Sequence, residues 1–434
     1  MNSETTGTQN VIDSGKTAAV SGDKPKLRID KHIWGVYIAL IVISLIELYS
    51  ASSREVTAGH IMTPLFRHAA LLGLGCLIMI GLQRVNYVVI KNLTWAIVIV
   101  CFLAAIYTMF FGQVINGARR SFSLGFISIQ SSELLKFASA LLIAYEIGDG
   151  NKIVRGRAIV TDRSVIIVAS AVLIFGAVLI KQGLTNTLLL MAISLSLMLI
   201  GGVSSKQFFA VVGVYLILGG GYWTYSHFKS DDNVEVELVN GRPQEYDRTD
   251  MRGKRMDYYF TPDKYNLPIT SQNQQSQYSF IAQANGGVFG VGLGKSRETA
   301  RLPLAFSDYI YAIIVEDSGL IGGLVVILLY LMLLARAGRV GTQCQKVYPT
   351  LLIIGMAIFI VYQALFHMAI VTGVFPVSGQ PLPFISKGGS SVIISSVALG
   401  IMLSVSRYAA RKNESAAVDE RGMANNPLVQ QEKK

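Results

Sequence analysis

Ten blocks of about 20 mostly apolar residues recur along this chain, at roughly 34–52, 68–83, 87–111, 132–147, 164–181, 184–201, 207–226, 308–335, 349–371 and 390–407. A helix rises about 1.5 Å per residue, so such a block crosses the roughly 30 Å hydrocarbon core of a bilayer. Lipid offers the backbone no hydrogen-bond partners, so a spanning segment of this kind must satisfy itself as helix. Composition agrees: 52% of the 434 residues are hydrophobic and 15% are charged, against about 25% charged in ordinary soluble domains. A soluble enzyme, a disulfide scaffold and a disordered chain are excluded. The expectation is an all-α polytopic membrane protein with about ten transmembrane helices.

Charge gives an orientation. Lys plus Arg number 38 and Asp plus Glu 27, a formal net charge of +11. The surplus sits in short loops between spans, where it anchors a membrane protein to the cytoplasm, so nucleic acid is not an expected partner. Lys24, Lys26, Arg28 and Lys31 fall on one side together with Arg84, Lys91, Lys152, Arg155, Arg157, Arg163, Lys206, Arg336, Arg339, Lys346, Arg407, Arg411 and Lys412. The opposite side has chiefly Arg54, Arg67, Arg119 and Arg120. The rule therefore predicts both termini inside. Residues 1–31 read as a disordered cytoplasmic tail without a cleavable signal peptide, 32–408 as the membrane domain, and 409–434 as a second cytoplasmic tail. A large loop at about 227–307, before helix eight, is then extracytoplasmic. It holds equal numbers of basic and acidic residues, and a polar loop of that length is more often functional than a linker. Cys76 and Cys101 lie in apolar runs and Cys344 in a polar loop, so no disulfide is implied. The Lys181-Gln182-Gly183 break is short enough for a tight helical hairpin.

An ionisable side chain at the bilayer centre costs about 2.5–3.5 kcal/mol unless paired or near water, so the few present are informative. Glu133 and Lys136 share a helix face three residues apart, either as a structural ion pair or as a polar site. Asp308 stands at the mouth of the eighth run, where Ser307 or Asp308 is placed to cap the helix, and a catalytic carboxylate is the other reading. Glu316, Asp317 and Glu47 read as a polar seam between helices beside the close-packing Gly319-Leu-Ile-Gly-Gly323. His367 reads as a hydrogen-bonded core residue. The glycine-rich Asn285-Gly-Gly-Val-Phe-Gly-Val-Gly-Leu-Gly-Lys-Ser296 lacks the first P-loop glycine, since Phe289 occupies that position, and is rejected as a nucleotide site. A flexible loop that exposes its backbone to a lipid-linked phosphate is the remaining functional expectation for it. No zinc spacing or nucleophile elbow occurs, and Asp231-Asp232 is a weak match to an acidic metal motif.

Four segments carry a resemblance. They are Ile46-Glu-Leu-Tyr-Ser-Ala-Ser-Ser53; Asn116-Gly-Ala-Arg-Arg-Ser-Phe-Ser-Leu-Gly125 with Gln130-Ser-Ser-Glu-Leu-Leu-Lys136; Asn285 through Pro303 with Ser307-Asp-Tyr-Ile-Tyr-Ala-Ile-Ile314; and Gly373-Val-Phe-Pro-Val-Ser-Gly-Gln-Pro-Leu-Pro-Phe-Ile-Ser-Lys-Gly-Gly-Ser-Ser391. In this order they resemble the SEDS family of bacterial cell-wall glycosyltransferases over roughly residues 32–408. The first and last segments are worded more like the division branch than the elongation branch.

The resemblance implies an inverting peptidoglycan glycosyltransferase of the cytoplasmic (inner) membrane, at the division septum if the division branch is right. Its substrates would be lipid II and undecaprenyl-linked glycan, joined through β-1,4 bonds on the outer face. Its partners would be a class B penicillin-binding transpeptidase and other divisome membrane proteins. The family's essential acid maps onto Asp308, as general base. Arg120, Glu133 and Lys136 match motif residues and, with Lys387 and Ser390, are the expected substrate contacts: Arg120 with Lys136 or Lys387 as the pyrophosphate clamp, and Glu133 orienting Lys136. No cofactor is required by the sequence, although a divalent Mg or Mn ion would suit the leaving group. A lipid II flippase, a non-catalytic divisome scaffold and an elongation polymerase are the alternatives. Ser121 replaces the family's aromatic residue, Ser131 its proline and Lys387 its tyrosine. The family's Gln-Pro-Asp-x-Gly-Thr appears as Gln182-Gly-Leu-Thr-Asn-Thr187, so Leu184 stands where the family has an acid.

Overall fold

A computed structural model describes residues 30–52, 62–115, 118–124, 127–149, 151–154, 157–180, 182–228, 234–239, 242–247, 258–270, 273–302 and 305–424. Asp231-Asp232 and the two chain ends lie outside these residues. The helices are α1 (Lys31–Ser52), α2 (Met62–Leu82), α3 (Tyr87–Phe111), α4 (Ser131–Asp149), α5 (Asp162–Ile180), α6 (Leu184–Ile200), α7 (Ser205–Phe228), α8 (Gln274–Gly286), α9 (Ile310–Thr342), α10 (Val347–Val371) and α11 (Gly389–Ala424). Each apolar run of the sequence falls in one of them, and α8 is a further helix inside the large loop. Among the described residues six helices (α1, α3, α5, α9, α10 and α11) are long and apolar enough to cross a membrane, and parts of α2, α6 and α7 are shorter apolar helices. The molecule is a multi-pass membrane protein.

Local chemistry sets the ends. Asn86 caps α3 by accepting from the Val88 amide at 3.1 Å, and α3 stops at Gly112. The alternating Arg120-Ser-Phe-Ser that follows has the period of a strand. It lies in an antiparallel sheet, β1 (Gln113–Ile115), β2 (Ala118–Leu124) and β3 (Ile127–Gln130). The hairpins β4–β5 (Asn151–Val154, Arg157–Val160) and β6–β7 (Val234–Val239, Arg242–Asp247) complete the strands. The chain is thus helical in its body with small sheets in its connections, a correction to the all-α expectation. Gln182 and Gly183 make the turn between α5 and α6, both amides donating to the Leu179 carbonyl, at 2.8 and 2.9 Å. Helix α11 continues to Ala424, beyond the residue-409 boundary at which the sequence places a tail.

The interior is built on α4, α10 and α11. In the apolar stretches of α10 and α11, 78% and 83% of residues are buried, against 28% in α3 and α9, whose outer faces are exposed and apolar. Between helices in lipid, close packing and polar contacts replace the hydrophobic effect. At Gly400 of α11 an added Cβ would lie 2.7 Å from Leu82 Cβ and 3.3 Å from Met79 Cα, so α2 and α11 approach backbone to backbone. At one end of the bundle, the buried Asp30 carboxylate accepts from Arg336 Nε of α9 at 3.0 and 3.1 Å and from Ser406 Oγ of α11 at 2.8 Å. This clamp ties three chain segments, and sequence patterning did not single it out.

Helix α9 departs from expectation. It is interrupted at Gly319 (φ 72°, ψ −173°), which leaves the segment from Ile310 as a buried half-helix and the rest as a longer, lipid-facing one. The cause is the glycine loop. Its Val291 and Gly292 amides donate to the carbonyls of Glu316 and Asp317 at 2.9 and 3.0 Å, and the Leu320 and Ile321 amides donate back to Gly287 and Val288 at 2.9 and 3.3 Å. A Cβ at Gly319 would lie 2.2 Å from the Val288 carbonyl oxygen.

Candidate active site

Asp308 lies just ahead of α9 but does not cap it. The N-cap is Tyr309, without a side-chain cap bond, so the capping role expected of Ser307 or Asp308 is not what these residues do. The Ser307 hydroxyl donates to Asp308 Oδ1 at 2.9 Å. The backbone before Asp308 is pinned by the segment leading into α11: Lys387 N donates to Phe306 O at 2.9 Å, Ser386 Oγ to Ser307 O at 2.7 Å, and Leu382 N to Ser386 Oγ at 2.7 Å. Lys387 is exposed, its ammonium 5.8 Å from the centre of the Phe306 ring. A Cβ on Gly379 would sit 2.5 Å from Asp308 Oδ2, so only the bare glycine leaves that carboxylate its place. Burial pushes the Asp308 carboxyl above its ordinary value, while the Ser307 bond and the Arg120 charge pull the other way. A desolvated carboxylate facing a guanidinium is a stronger base than one in water and remains able to ionise.

The residue after Gly379 carries the site inward. The Gln380 carbonyl accepts from His367 Nδ1 of α10 at 2.6 Å, so the ring carries its proton there. Gln380 Nε2 donates to Asn186 Oδ1 of α6 at 2.8 Å. Lys136 Nζ of α4, with its residue 0% exposed, donates to Gln380 Oε1 and Asn186 Oδ1, both at 3.4 Å. The Gly379-Gln380 step therefore joins the two ionisable groups, with Asp308 on one side and Lys136 on the other. Glu133 and Lys136 act on each other through their charges, but their hydrogen bonds go to different partners. Glu133 Oε1 accepts from Gln363 Nε2 of α10 at 3.2 Å, with Ser390 and Ser391 of α11 beside it. One helical turn places Glu133 and Lys136 in different polar contacts because α4 packs against both α6 and α10.

Arg120 comes from β2. The Ser131 hydroxyl at the start of α4 reaches the Arg120 carbonyl (3.3 Å) and Gln182 Oε1 (3.0 Å), which draws the sheet and the α5–α6 turn together at the start of α4. Among the described residues no group fills the hydrogen-bonding capacity of buried Gln182 Nε2, Thr187 Oγ1 and His367 Nε2, a feature that calls for an explanation such as a functional role. The structure thus gathers Asp308, Arg120 and Lys136 around Gly379-Gln380, holds Lys387 through its backbone, and sets Glu133 and Ser390 one layer further in. Gly379, Gln380, Asn186 and Gln363 were not singled out by sequence reasoning, although the first three lie inside quoted motifs. Among the described residues no group of three or more His, Cys, Asp or Glu side chains is placed to hold a metal ion.

The glycine loop is a different kind of place. Gly294 N donates to Ser50 Oγ at 2.6 Å, Ser296 N to Asp317 Oδ1 at 3.1 Å and Arg297 N to Glu316 Oε1 at 2.9 Å. Ser50 Oγ in turn donates to Asp317, and Ser296 Oγ to Glu316. These backbone donors are taken by the chain's own carboxylates and carbonyls. The polar seam expected of Glu316 and Asp317 is present, with Glu47 of α1 buried near Asp317.

A family model described as a cell cycle protein, covering FtsW, RodA and SpoVE, matches residues 30–411. The stage V sporulation protein E of Bacillus subtilis is 30% identical over 380 residues, which cover 86% of this chain and 95% of that protein. A probable peptidoglycan glycosyltransferase FtsW of Coxiella burnetii is 27% identical over 386 residues, again 86% of this chain and 95% of its own. Among solved structures, a chain of a peptidoglycan synthase complex that coordinates polymerization and crosslinking superposes with a TM-score of 0.65 at 23% identity, covering 88% of this chain and 99% of that one. The rod shape determining protein RodA of Thermus thermophilus does so with a TM-score of 0.59 at 20% identity, covering 88% and 98%. With its motifs in order and a matching model along nearly its whole membrane body, the chain belongs to the FtsW/RodA/SpoVE family, the SEDS proteins.

Proposed function

We propose that this chain is a peptidoglycan glycosyltransferase that polymerises lipid II into β-1,4 glycan strands, with Asp308 as its general base. The relatives named peptidoglycan glycosyltransferase FtsW support the activity. The observation that carries the mechanism is the desolvated Asp308 carboxylate, wedged against Gly379, facing Arg120 and joined through Gln380 to buried Lys136. An inverting displacement needs one base for the acceptor hydroxyl proton and cations for the departing pyrophosphate. Asp308 removes the proton from the 4-hydroxyl of the acceptor sugar. The oxygen attacks the anomeric carbon of the donor, and the anomeric carbon–oxygen bond breaks with its electron pair leaving on the pyrophosphate. Arg120 meets that charge as a planar fork, and Lys136 and Lys387 add positive potential.

In this reading ten helices span the cytoplasmic membrane with both termini inside, and Asp308 opens to the outer face, where no nucleotide is required. A class B penicillin-binding transpeptidase is the expected partner, by likeness to the synthase complex. The division septum is the expected place, from the wording of the first and last motifs. The test is glycan polymerisation from lipid II by the purified chain, alone and with a class B transpeptidase, beside Asp308→Asn. Polymer that is lost in the variant supports both enzyme and base. A near-normal rate in the variant removes Asp308 as base, and no polymer from either folded sample with the partner present favours a flippase or a scaffold.

A further inference from the structure

The glycine loop presents an apolar surface on a backbone most of whose amides from Gly290 to Arg297 bond within the chain. From Gly290 to Arg297, seven of the eight amides, all but that of Leu293, have acceptors among the described residues. Internal bonding of this kind suits irregular backbone near membrane depth, where water is scarce. The side chains face outward: Phe289 is 82% exposed, and Val288, Leu293, Leu320 and Ile321 are about half exposed or more. These residues form one patch, because the Leu320 and Ile321 amides bond to Gly287 and Val288. The patch runs directly into the exposed, apolar Leu324, Val325 and Leu328 of α9.

Two landmarks fix its depth. Gly294 bonds to Ser50 in the last turn of α1, and Leu320 and Ile321 begin the long apolar stretch of α9. The loop therefore sits where helices leave the hydrocarbon. Beyond it the exposed Lys295 and Arg297 follow at once, a spacing of apolar tip and basic flank that matches acyl chains and anionic headgroups.

We propose that this loop is a membrane-interface anchor whose Val288, Phe289 and Leu293 insert among acyl chains of the leaflet on the Asp308 side, with Lys295 and Arg297 at the phosphates. The inference is independent of the proposed activity. By holding the break at Gly319, a lipid-seated loop fixes the height of the half-helix that begins just after Asp308.

The experiment uses the full chain with Cys76, Cys101 and Cys344 replaced by alanine. Nitroxide labels are placed singly at Phe289→Cys, Leu293→Cys and Lys295→Cys, in vesicles of phosphatidylethanolamine and phosphatidylglycerol, on samples that are monodisperse before reconstitution. Collision with oxygen, which partitions into hydrocarbon, is compared with collision with a water-soluble nickel chelate. The expected result is a several-fold higher oxygen-to-nickel ratio at positions 289 and 293 than at 295. Equal ratios at all three positions place the loop in water and overturn the proposal. Labels at 289 and 293 shielded from both reagents place it in a protein contact and overturn it equally. If one labelled variant fails to fold, the other apolar position still decides.

Discussion

Asp308 and the Glu316–Asp317 pair lie within a few turns on the same stretch of chain, and they illustrate opposite uses of a buried acid. Around Asp317 the acceptor capacity is filled: two backbone amides and the Ser50 hydroxyl point at its carboxylate. Around Asp308 the neighbours are one hydroxyl, a bare glycine and the field of a guanidinium. An acid whose lone pairs are committed to backbone organises structure. An acid that is desolvated with acceptor capacity to spare is available for a proton. Sequence alone placed both in one apolar run, Asp308 at its mouth and Glu316–Asp317 deeper in it.

The contrast is sharpest in a pair of substitutions. Asp308→Asn is expected to lower polymerisation by about 10²–10⁴-fold while leaving the thermal unfolding midpoint unchanged or higher. Asp317→Ala is expected to do the reverse, lowering stability by about 1–3 kcal/mol through amides left without acceptors, with folded protein still active. Polymerisation assays and thermal unfolding of the two purified variants would break the comparison if the effects were exchanged.

Two glycines offer a second, smaller contrast. Gly379→Ala puts a methyl against the Asp308 carboxylate, and misplacing a reacting group by about 1 Å can cost about 10²-fold in rate. Gly290→Ala forces φ 83° on a residue with a side chain, at 2.2 Å from the Asp317 carbonyl oxygen. It should act on unfolding first, at about 1–3 kcal/mol.

The pH dependence follows from the direction of the Asp308 shift. A base must be ionised, so the rate at limiting lipid II should fall as pH drops through a value above that of an ordinary aspartate. For stability the sign is opposite. A carboxyl raised in the folded state contributes stability below its unfolded value and loses it as pH rises through its folded value, so Asp308→Asn should gain most at neutral pH. A rate profile with its acid limb at the usual aspartate value would argue against a desolvated base. The smallest expected effect is from Gln380→Leu, which removes one of two neutral amides holding Lys136. A rate loss of several-fold, corresponding to about 1 kcal/mol, with near-normal unfolding would place Gln380 in the positioning of the site.

Much of this molecule was legible as sequence because hydropathy and period are local properties. Ten runs became ten helices, Asn86 capped where a cap was needed, and the alternating Arg120-Ser-Phe-Ser read in retrospect as strand. Motif order was enough to identify the family, and the family pattern pointed to Asp308. The helix break at Gly319 was not legible, because it is imposed by a loop distant in the chain that hydrogen-bonds into it. The partners of Lys136 were not legible either: proximity along α4 suggested Glu133, whereas packing supplied Asn186 and Gln380 from 50 and 244 residues away.

The sequence by itself determined that this chain lives in a membrane, where its helices lie and which acid merits attention, since each depends on residues close together or on a motif carried whole. Tertiary structure alone decided which buried acid was saturated and which was not, because hydrogen-bond capacity is filled by whatever the packing brings near.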